Sequence, residues 1–475
     1  MNEHRNSGLW DRAVRNLRGA WDKIARSDSE LLPTSLSPEL SDADRVKLVG
    51  QMQACLEGRG GEVSARARAA ALGHAYLALN DRGRRRFMET MANEFGPERG
   101  AVDAAVEALR GAADDEARQL AEKDLKAALV APRVRLLTQF NGLPEGVKFL
   151  VDRRAELLAY AHESTALKEL EQDLKSLLAS WFDVGFLELR QITWQAPAAL
   201  LEKLAAYEAV HAITGWEDLK HRLAPDRRCF AYFHPRMPDE PLIFVWVALV
   251  DGIAGNIQEL LDAKALLVDA EAADSAVFYS ISNAQTGLRG INFGDFLIKR
   301  VVDSLCKELP ALKTFATLSP IPGFRKWLTE TEEAEGSLLT DAEAQSLEDA
   351  LGHSGLSGLS EILSDRGWRN NEILVEAAKQ PLMRLCAHYL LEERRPGGTT
   401  LDSVAHFHLS NGARMDRLNW LADTSRNGIE QSAGLMMNYR YRLGDIEKNH
   451  EAYRGGGEIT ASSAVRGLLK VKDRQ

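Results

Sequence analysis

Near Phe182 the sequence changes from a single helical period to an alternation of short strands and helices, and that change restricts the fold more than any one motif. From Glu39 to Leu129 the chain is rich in Ala, Leu, Glu and Arg, with apolar residues three and four apart, as in RVKLVGQMQACLE and AVDAAVEALRGAA. That spacing predicts amphipathic helices whose apolar seams must cover one another. Gly58, Arg59 and Gly60 interrupt the period and predict a joint between two helices. We therefore expect a helical bundle over residues 1–175, serving as a scaffold or an oligomerisation surface.

Beyond it, GFLELRQITW alternates as a strand, PAALLEKLAAYEAV and GWEDLKHRL read as helices, and CFAYFHP and PLIFVWVALV read as strands joined by the turn RMPDE. The apolar run from Leu242 to Val250 has nine residues, about half of what a membrane helix needs, and reads as a core strand. A short helix at NIQELLDA, a strand at AVFYSIS, a loop QTGLRGIN, a helix at GDFLIKRVVDSLCKEL and a strand at KTFATLS follow. An antiparallel hairpin inside this order disfavours both a TIM barrel and a fully parallel Rossmann sheet. A helical insertion is expected at about 323–392, after which strand signals return at SVAHFHLSN and ARMDRLNWLA. The expected class is α+β: an all-helical N-terminal domain, then a mixed α/β catalytic domain over 176–475.

Charge and cysteine usage narrow the partners. With 59 basic and 69 acidic residues the net charge is −10, which disfavours attraction of the whole surface to nucleic acid or to a membrane yet leaves room for a local basic pocket and an anionic small ligand. Cys55, Cys229, Cys306 and Cys386 form no CxxC pair, so neither a disulfide scaffold nor a thiolate metal site is indicated, and a reducing compartment is expected. The N-terminal segment lacks the apolar core of a secretory signal, and the expected location is the cytoplasm.

The strongest local signal for chemistry is the loop between AVFYSIS and FLIKRVV. Gln285, Gly287 and Gly290 are spaced Q-x-G-x-x-G, and with Gly294 they lead from a strand into a helix, where free backbone N–H groups can face a phosphate. The spacing is neither the dinucleotide fingerprint nor a Walker A loop, and a purely structural turn is the competing reading. Arg289, Lys299 and Arg300 offer positive charge nearby, or simply a solvated helix face.

Ser319 ends a strand in TFATLSPIPGF, ahead of Pro320 and Pro322, which hold the exit extended. An ordinary turn hydroxyl would also fit, no G-x-S-x-G elbow is present, and Ser280, Ser282 and Ser410 compete with it. His406 and His408, in HFHLSNGA, would share one face of an extended segment. That allows half of a metal site, but no H-E-x-x-H and no third ligand accompany it, so no metal is expected. His234 and His162 are weaker candidates.

The order hairpin, strand, Gly-rich loop, helix, strand resembles the acetyltransferase-like (GNAT-like) folds that handle acyl-CoA. The collinear blocks FYSIS, QTGLRGI, FLIKRVV, LSPIPGF, PLMRLCAHYL, FHLSNGA, NWLADTSRNGI and GLMMNYRY, between about Asp226 and Tyr441, resemble the malonyl-CoA decarboxylase family. The resemblance implies a helical N-terminal domain on a GNAT-like catalytic domain, and release of carbon dioxide from malonyl-CoA to give acetyl-CoA. It implies Ser319 and His408 as the catalytic pair, with Tyr441 and Asn419 near the substrate or else engaged in core hydrogen bonds. The CoA loop would comprise Gln285, Gly287, Arg289, Gly290, Ile291, Asn292, Phe293, Gly294 and Asp295; Asn292 stands where some relatives carry an acid.

No cofactor is then required beyond the coenzyme A of substrate and product, and a homo-oligomer, such as a tetramer, is expected. The chemistry needs few groups, because cleavage leaves a thioester enolate whose charge must be stabilised and whose carbon must be protonated, for instance by an imidazolium. An acyltransferase or a CoA-sensing module are the alternatives, and turnover of malonyl-CoA alone separates them.

Overall fold

The computed structural model describes residues 17–25, 36–57, 62–291, 297–365 and 367–470; the expected joint at Gly58, Arg59 and Gly60 lies outside them. Helices run through the first part of the chain, from Asp42–Leu56 to Thr165–Trp181. Their starts carry the expected chemistry: the Asn80 and Ser164 side chains accept the Gly83 and Leu167 N–H groups, and Pro132 opens its helix at a position where no N–H is needed. Trp21, Tyr76, Phe87, Phe140 and Phe149 fill the seams. Among the described residues no helix is long and apolar enough to cross a membrane.

An eight-stranded mixed sheet follows. Its strands are β1 (Glu188–Ile192), β2 (Arg227–Phe233), β3 (Ile243–Val250), β4 (Ser275–Asn283), β5 (Thr314–Thr317), β6 (Ser319–Pro320), β7 (Arg414–Asn419) and β8 (Met436–Tyr441). Spatially they run β1-β2-β3-β4-β5-β8-β6, with β7 also on β8. Among the described strands only β4 and β5 pair in parallel, joined by the helix Leu297–Glu308 as a crossover. The hairpin β2–β3 is antiparallel, as the RMPDE turn predicts. Both faces of the sheet are covered: Phe230, Tyr232, Val245 and Val247 join the core that continues into the helical region, whereas Cys229, Ala231, Phe233, Phe244 and Trp246 form a second core on the other side. That is why Leu242–Val250 carries no polar alternation. This helical region followed by a mixed α/β domain has a topology consistent with a GNAT-like catalytic fold.

Two departures matter for function. SVAHFHLSN is a helix, Ser403–Ser410, and not a strand, because the Asp402 carboxylate accepts the Val404 and Ala405 N–H groups and so caps a helical start that outweighs the apparent alternation. The strand β8, which sequence periodicity did not bring out, lies inside the sheet between β5 and β6. The pairing of β4 with β5 ends at Phe278 and Thr317; β4 continues to Asn283 while the other chain turns onto β8, and the sheet opens between them.

Candidate active site

At that opening the chain is pinned on both sides. Leu318 N–H donates to the Phe278 carbonyl at 2.9 Å, Asn438 Nδ2 donates to the Thr317 carbonyl at 2.7 Å, and Ser319 pairs with Met437 of β8. Ser319 Oγ, 5% exposed as a residue, is thereby held 3.0 Å from His408 Nε2 and donates to Thr317 Oγ1 at 2.8 Å. The imidazole of His408 is 2% exposed and stacks on Tyr439 with ring centres 4.5 Å apart. Its Nδ1 is 2.8 Å from the Tyr441 hydroxyl. A serine, a histidine and a tyrosine thus form one buried hydrogen-bonded line.

Burial sets the charges in this line. It lowers the His408 pKa to about 3 and raises that of Tyr441 well above the usual phenol range, so both rings are neutral near neutral pH. The ring nitrogens of His408 are hydrogen-bonded to Ser319 and Tyr441, and among the described residues no carboxylate is bonded to the ring to favour its charged form. A neutral imidazole still offers one N–H donor and one acceptor.

The histidine helix and the serine loop are tied together by Asp402. Besides capping Ser403–Ser410, its carboxylate accepts the Tyr389 hydroxyl at 3.3 Å and the Gly323 N–H. The missing side chain of Gly323 leaves room for Tyr389, since a Cβ there would stand 2.1 Å from the tyrosine oxygen and force it to shift. The helical geometry also separates the two histidines expected on one face. Two residues along a helix is over half a turn, so His408 meets Ser319 while His406 Nδ1 meets the Tyr453 hydroxyl at 2.9 Å. Among the described residues no three His, Cys, Asp or Glu side chains are grouped as metal ligands.

The other sequence candidates separate in the same way. Ser280 and Ser282 donate to the buried Glu208, which also receives Trp246 Nε1 at 2.9 Å, and Ser410 donates to the His406 carbonyl. His234 Nε2 lies 3.0 Å from the Trp181 carbonyl. Asn419 Nδ2 donates to Asn438 Oδ1 at 2.8 Å, so its amide braces the asparagine that holds Thr317.

In the loop expected from the sequence to hold CoA, Gln285 donates to the Pro241 carbonyl at 3.0 Å, and Thr286–Leu288 form a single 3-10 turn. The Gly287 carbonyl accepts Arg154 Nη1 at 2.6 Å, and a Cβ on Gly287 would stand 1.8 Å from the Val151 carbonyl. Its smallness therefore serves the approach of the helix Gly146–Leu157. Gly290, by contrast, has φ +74°, a Cβ there would stand 3.6 Å from Lys175 Nζ in ordinary contact, and Arg289 is exposed beside it. Ile291 is buried; Asn292, Phe293, Gly294 and Asp295 lie outside the described residues. Lys299 pairs with Glu447 at 2.7 Å and Arg300 sits over the Tyr232 ring, so both have structural partners.

Sequence reasoning missed Thr317, Asp402 and Asn438. A usable signal existed for two of them: Thr317 is two residues before Ser319 on an extended chain, and Asp402 precedes Ser-Val-Ala as a helix cap does.

The chain matches the family model described as the malonyl-CoA decarboxylase C-terminal domain over residues 185–475, and that of the N-terminal domain over residues 95–182. It is 42% identical over 391 residues to the mitochondrial malonyl-CoA decarboxylase of Anser anser anser, covering 79% of this chain and 77% of that one. With the mitochondrial enzyme of Mus musculus it shares 42% identity over 400 residues, 80% of each chain. Crystal structures of malonyl-CoA decarboxylase from Rhodopseudomonas palustris (TM-score 0.82, 43% identity, covering 89% of this chain and 99% of that one) and from Agrobacterium vitis (TM-score 0.81, 41% identity, 90% and 100%) share the fold. The goose and mouse relatives are both named mitochondrial, which overturns the expectation of a cytoplasmic enzyme. That expectation rested on a missing secretory core, which tests for secretion alone, and on acidic residues near the N-terminus, which argue only weakly against an organellar transit peptide. By family models that match residues 95–182 and 185–475, relatives 42% identical over about four fifths of the chain and a shared fold, this chain belongs to the malonyl-CoA decarboxylase family, enzymes that convert malonyl-CoA to acetyl-CoA and carbon dioxide.

Proposed function

We propose that decarboxylation takes place at the opening of the sheet beside Ser319, with His408 as proton donor and Ser319 as the group that positions the malonyl head and relays the proton. The observation that carries this reading is the 3.0 Å contact between Ser319 Oγ and His408 Nε2, both buried, in a chain of this family. When the bond between the carboxylate and the α-carbon breaks, its electron pair passes to the thioester as an enolate and carbon dioxide leaves. The α-carbon then takes one proton, replaced in the end from water. Neutral donors in a water-poor site stabilise the enolate oxygen without first having to be desolvated, which favours a hydroxyl and an uncharged imidazole over a charged ring.

The CoA pyrophosphate is assigned to residues Gln285 to Asp295, with the positive-φ turn at Gly290 and the start of the helix Leu297–Glu308 supporting it. Tyr441 supports the ring of His408, and Asn419 acts through Asn438 instead of touching substrate. The helical region up to about residue 175 is assigned to scaffolding of a homo-oligomer, which sedimentation of the purified protein tests directly. For the reaction, purified enzyme with malonyl-CoA alone should release carbon dioxide and acetyl-CoA in equal amounts. Failure to form acetyl-CoA without a second acyl acceptor would overturn the decarboxylase assignment.

A further inference from the structure

We infer that Thr317 is a positioning residue that fixes which nitrogen of His408 carries the proton, by holding the hydroxyl hydrogen of Ser319. This rests on the Ser319 and His408 assignment above and adds a direction to it. Thr317 is fully buried at the end of β5, and both its carbonyl and its hydroxyl oxygen are bonded by neighbouring residues of β8. Its carbonyl receives Asn438 Nδ2 at 2.7 Å, and its Oγ1 receives the Tyr439 N–H at 3.1 Å. The same Oγ1 receives the Ser319 hydroxyl at 2.8 Å. Its β-branched side chain cannot easily turn away from this arrangement.

A serine hydroxyl has one hydrogen and two lone pairs. With the hydrogen directed to Thr317, Ser319 Oγ can face His408 only as an acceptor, so the ring must present Nε2–H at the 3.0 Å contact. Nδ1 is then bare and accepts the Tyr441 hydroxyl at 2.8 Å. The hydrogen bonds run one way, from Tyr441 to His408 to Ser319 to Thr317. Reversed, Ser319 would donate to Nε2, and the nitrogen facing the site would have no proton to give. In the resting site Thr317 therefore keeps the donor nitrogen loaded without touching substrate; in the relay the Ser319 hydrogen leaves Thr317 for the α-carbon, Ser319 takes the Nε2 proton of His408, and Nδ1 takes that of Tyr441.

The inference is tested with Thr317→Val, which keeps the shape and removes the acceptor, and with Thr317→Ser, which restores it. In the full-length protein, nitrogen-15 NMR of the imidazole reads the tautomer independently of activity. Wild type and Thr317→Ser should show Nε2 protonated; in Thr317→Val the Ser319 hydrogen has only Nε2 left to bond, and the proton should move to Nδ1. The valine variant should lose about 10-fold or more in kcat with little change in KM, since a misdirected proton affects the transition state more than substrate binding. Adding Thr317→Val to Ser319→Ala should cost nothing further, because the two act as one unit. If Thr317→Val does not fold, Thr317→Ala takes its place in each comparison. An unchanged tautomer in the folded variant, or a loss that adds in full to that of Ser319→Ala, overturns the inference. Full turnover by Ser319→Ala alone would instead overturn the site assignment on which it rests.

Discussion

Ser319 and His408 are 89 residues apart and meet at 3.0 Å because one central strand, β8, serves both. Met437 fixes the backbone of Ser319, Tyr439 stacks on the imidazole, and Tyr441 takes its far nitrogen. Those three positions alternate along one strand, which puts them on a common face at intervals of about 7 Å. The pair is thus set by sheet geometry, with the Asp402 carboxylate capping the helix that brings His408 in from the side.

Because the two side chains form a unit, removing either should cost nearly as much as removing both. We expect Ser319→Ala and His408→Ala each to lower kcat by about 100-fold or more, the magnitude of a lost proton-transfer or oxyanion group. The double variant should be no worse than the poorer single one. Steady-state kinetics with circular dichroism as the check on folding measure this, and near-normal turnover in either folded variant would return its residue to a structural role.

Much of this was legible in the residues. The hairpin, the core strand within Leu242–Val250, the strand Ser275–Asn283 and the helix Leu297–Glu308 all follow from patterns that extend over enough residues to be unambiguous. The histidine segment failed for a physical reason: eight residues with His at alternate positions look extended, and the deciding contact is one carboxylate just outside the window. The placement of β8 could not be read locally, since a strand's neighbours depend on pairings far along the chain. Gly287 shows a third kind of limit: its spacing places it in a loop that could face a phosphate, whereas the atom that needs its missing side chain is the Val151 carbonyl of the helix Gly146–Leu157.

The two loop glycines and their neighbouring arginine should behave differently. Gly290 at φ +74° holds a turn that a β-branched residue adopts only with strain, so Gly290→Val should distort the backbone donors offered to phosphate. Arg289 is exposed and contributes at most a screened charge, so Arg289→Gln should weaken coenzyme A by a few-fold at most. Direct titration should give a larger dissociation constant for the valine variant than for the glutamine one. Equal binding by wild type and Gly290→Val would move the CoA tail off this loop.

Asp402 links stability to activity. Its carboxylate caps the histidine helix, bonds Tyr389 and meets the Gly323 N–H, although burial raises its pKa. Replacement by Ala should destabilise the protein by about 1–2 kcal/mol, the range for a lost N-cap. It should also lower kcat more than it raises KM, because the helix that aims His408 loses its tie to the serine loop. Chemical denaturation and kinetics on the same preparation check both. An unaltered kcat in a destabilised variant would confine Asp402 to folding.

The last expectation concerns pH, and its sign follows from burial. An unfolded chain binds a proton at His408 below about pH 6.5. The folded chain, with the ring pKa near 3, does not bind one until the solution is far more acidic. Between those values the unfolded state holds the extra proton, so the contribution of His408 to stability is whole above the unfolded pKa and is lost progressively as pH falls toward the folded one. His408→Gln should remove that slope: the difference in unfolding free energy between wild type and variant should shrink, or turn in favour of the variant, as the solution is acidified below about pH 6.5. Turnover gives the independent reading. With His408 neutral throughout the ordinary range, kcat should show no inflection near pH 6.5 from this group. An inflection there, on either the acid or the alkaline side, would mean that the working imidazole titrates as a solvated one does, and the neutral donor assigned to this site would have to be given up.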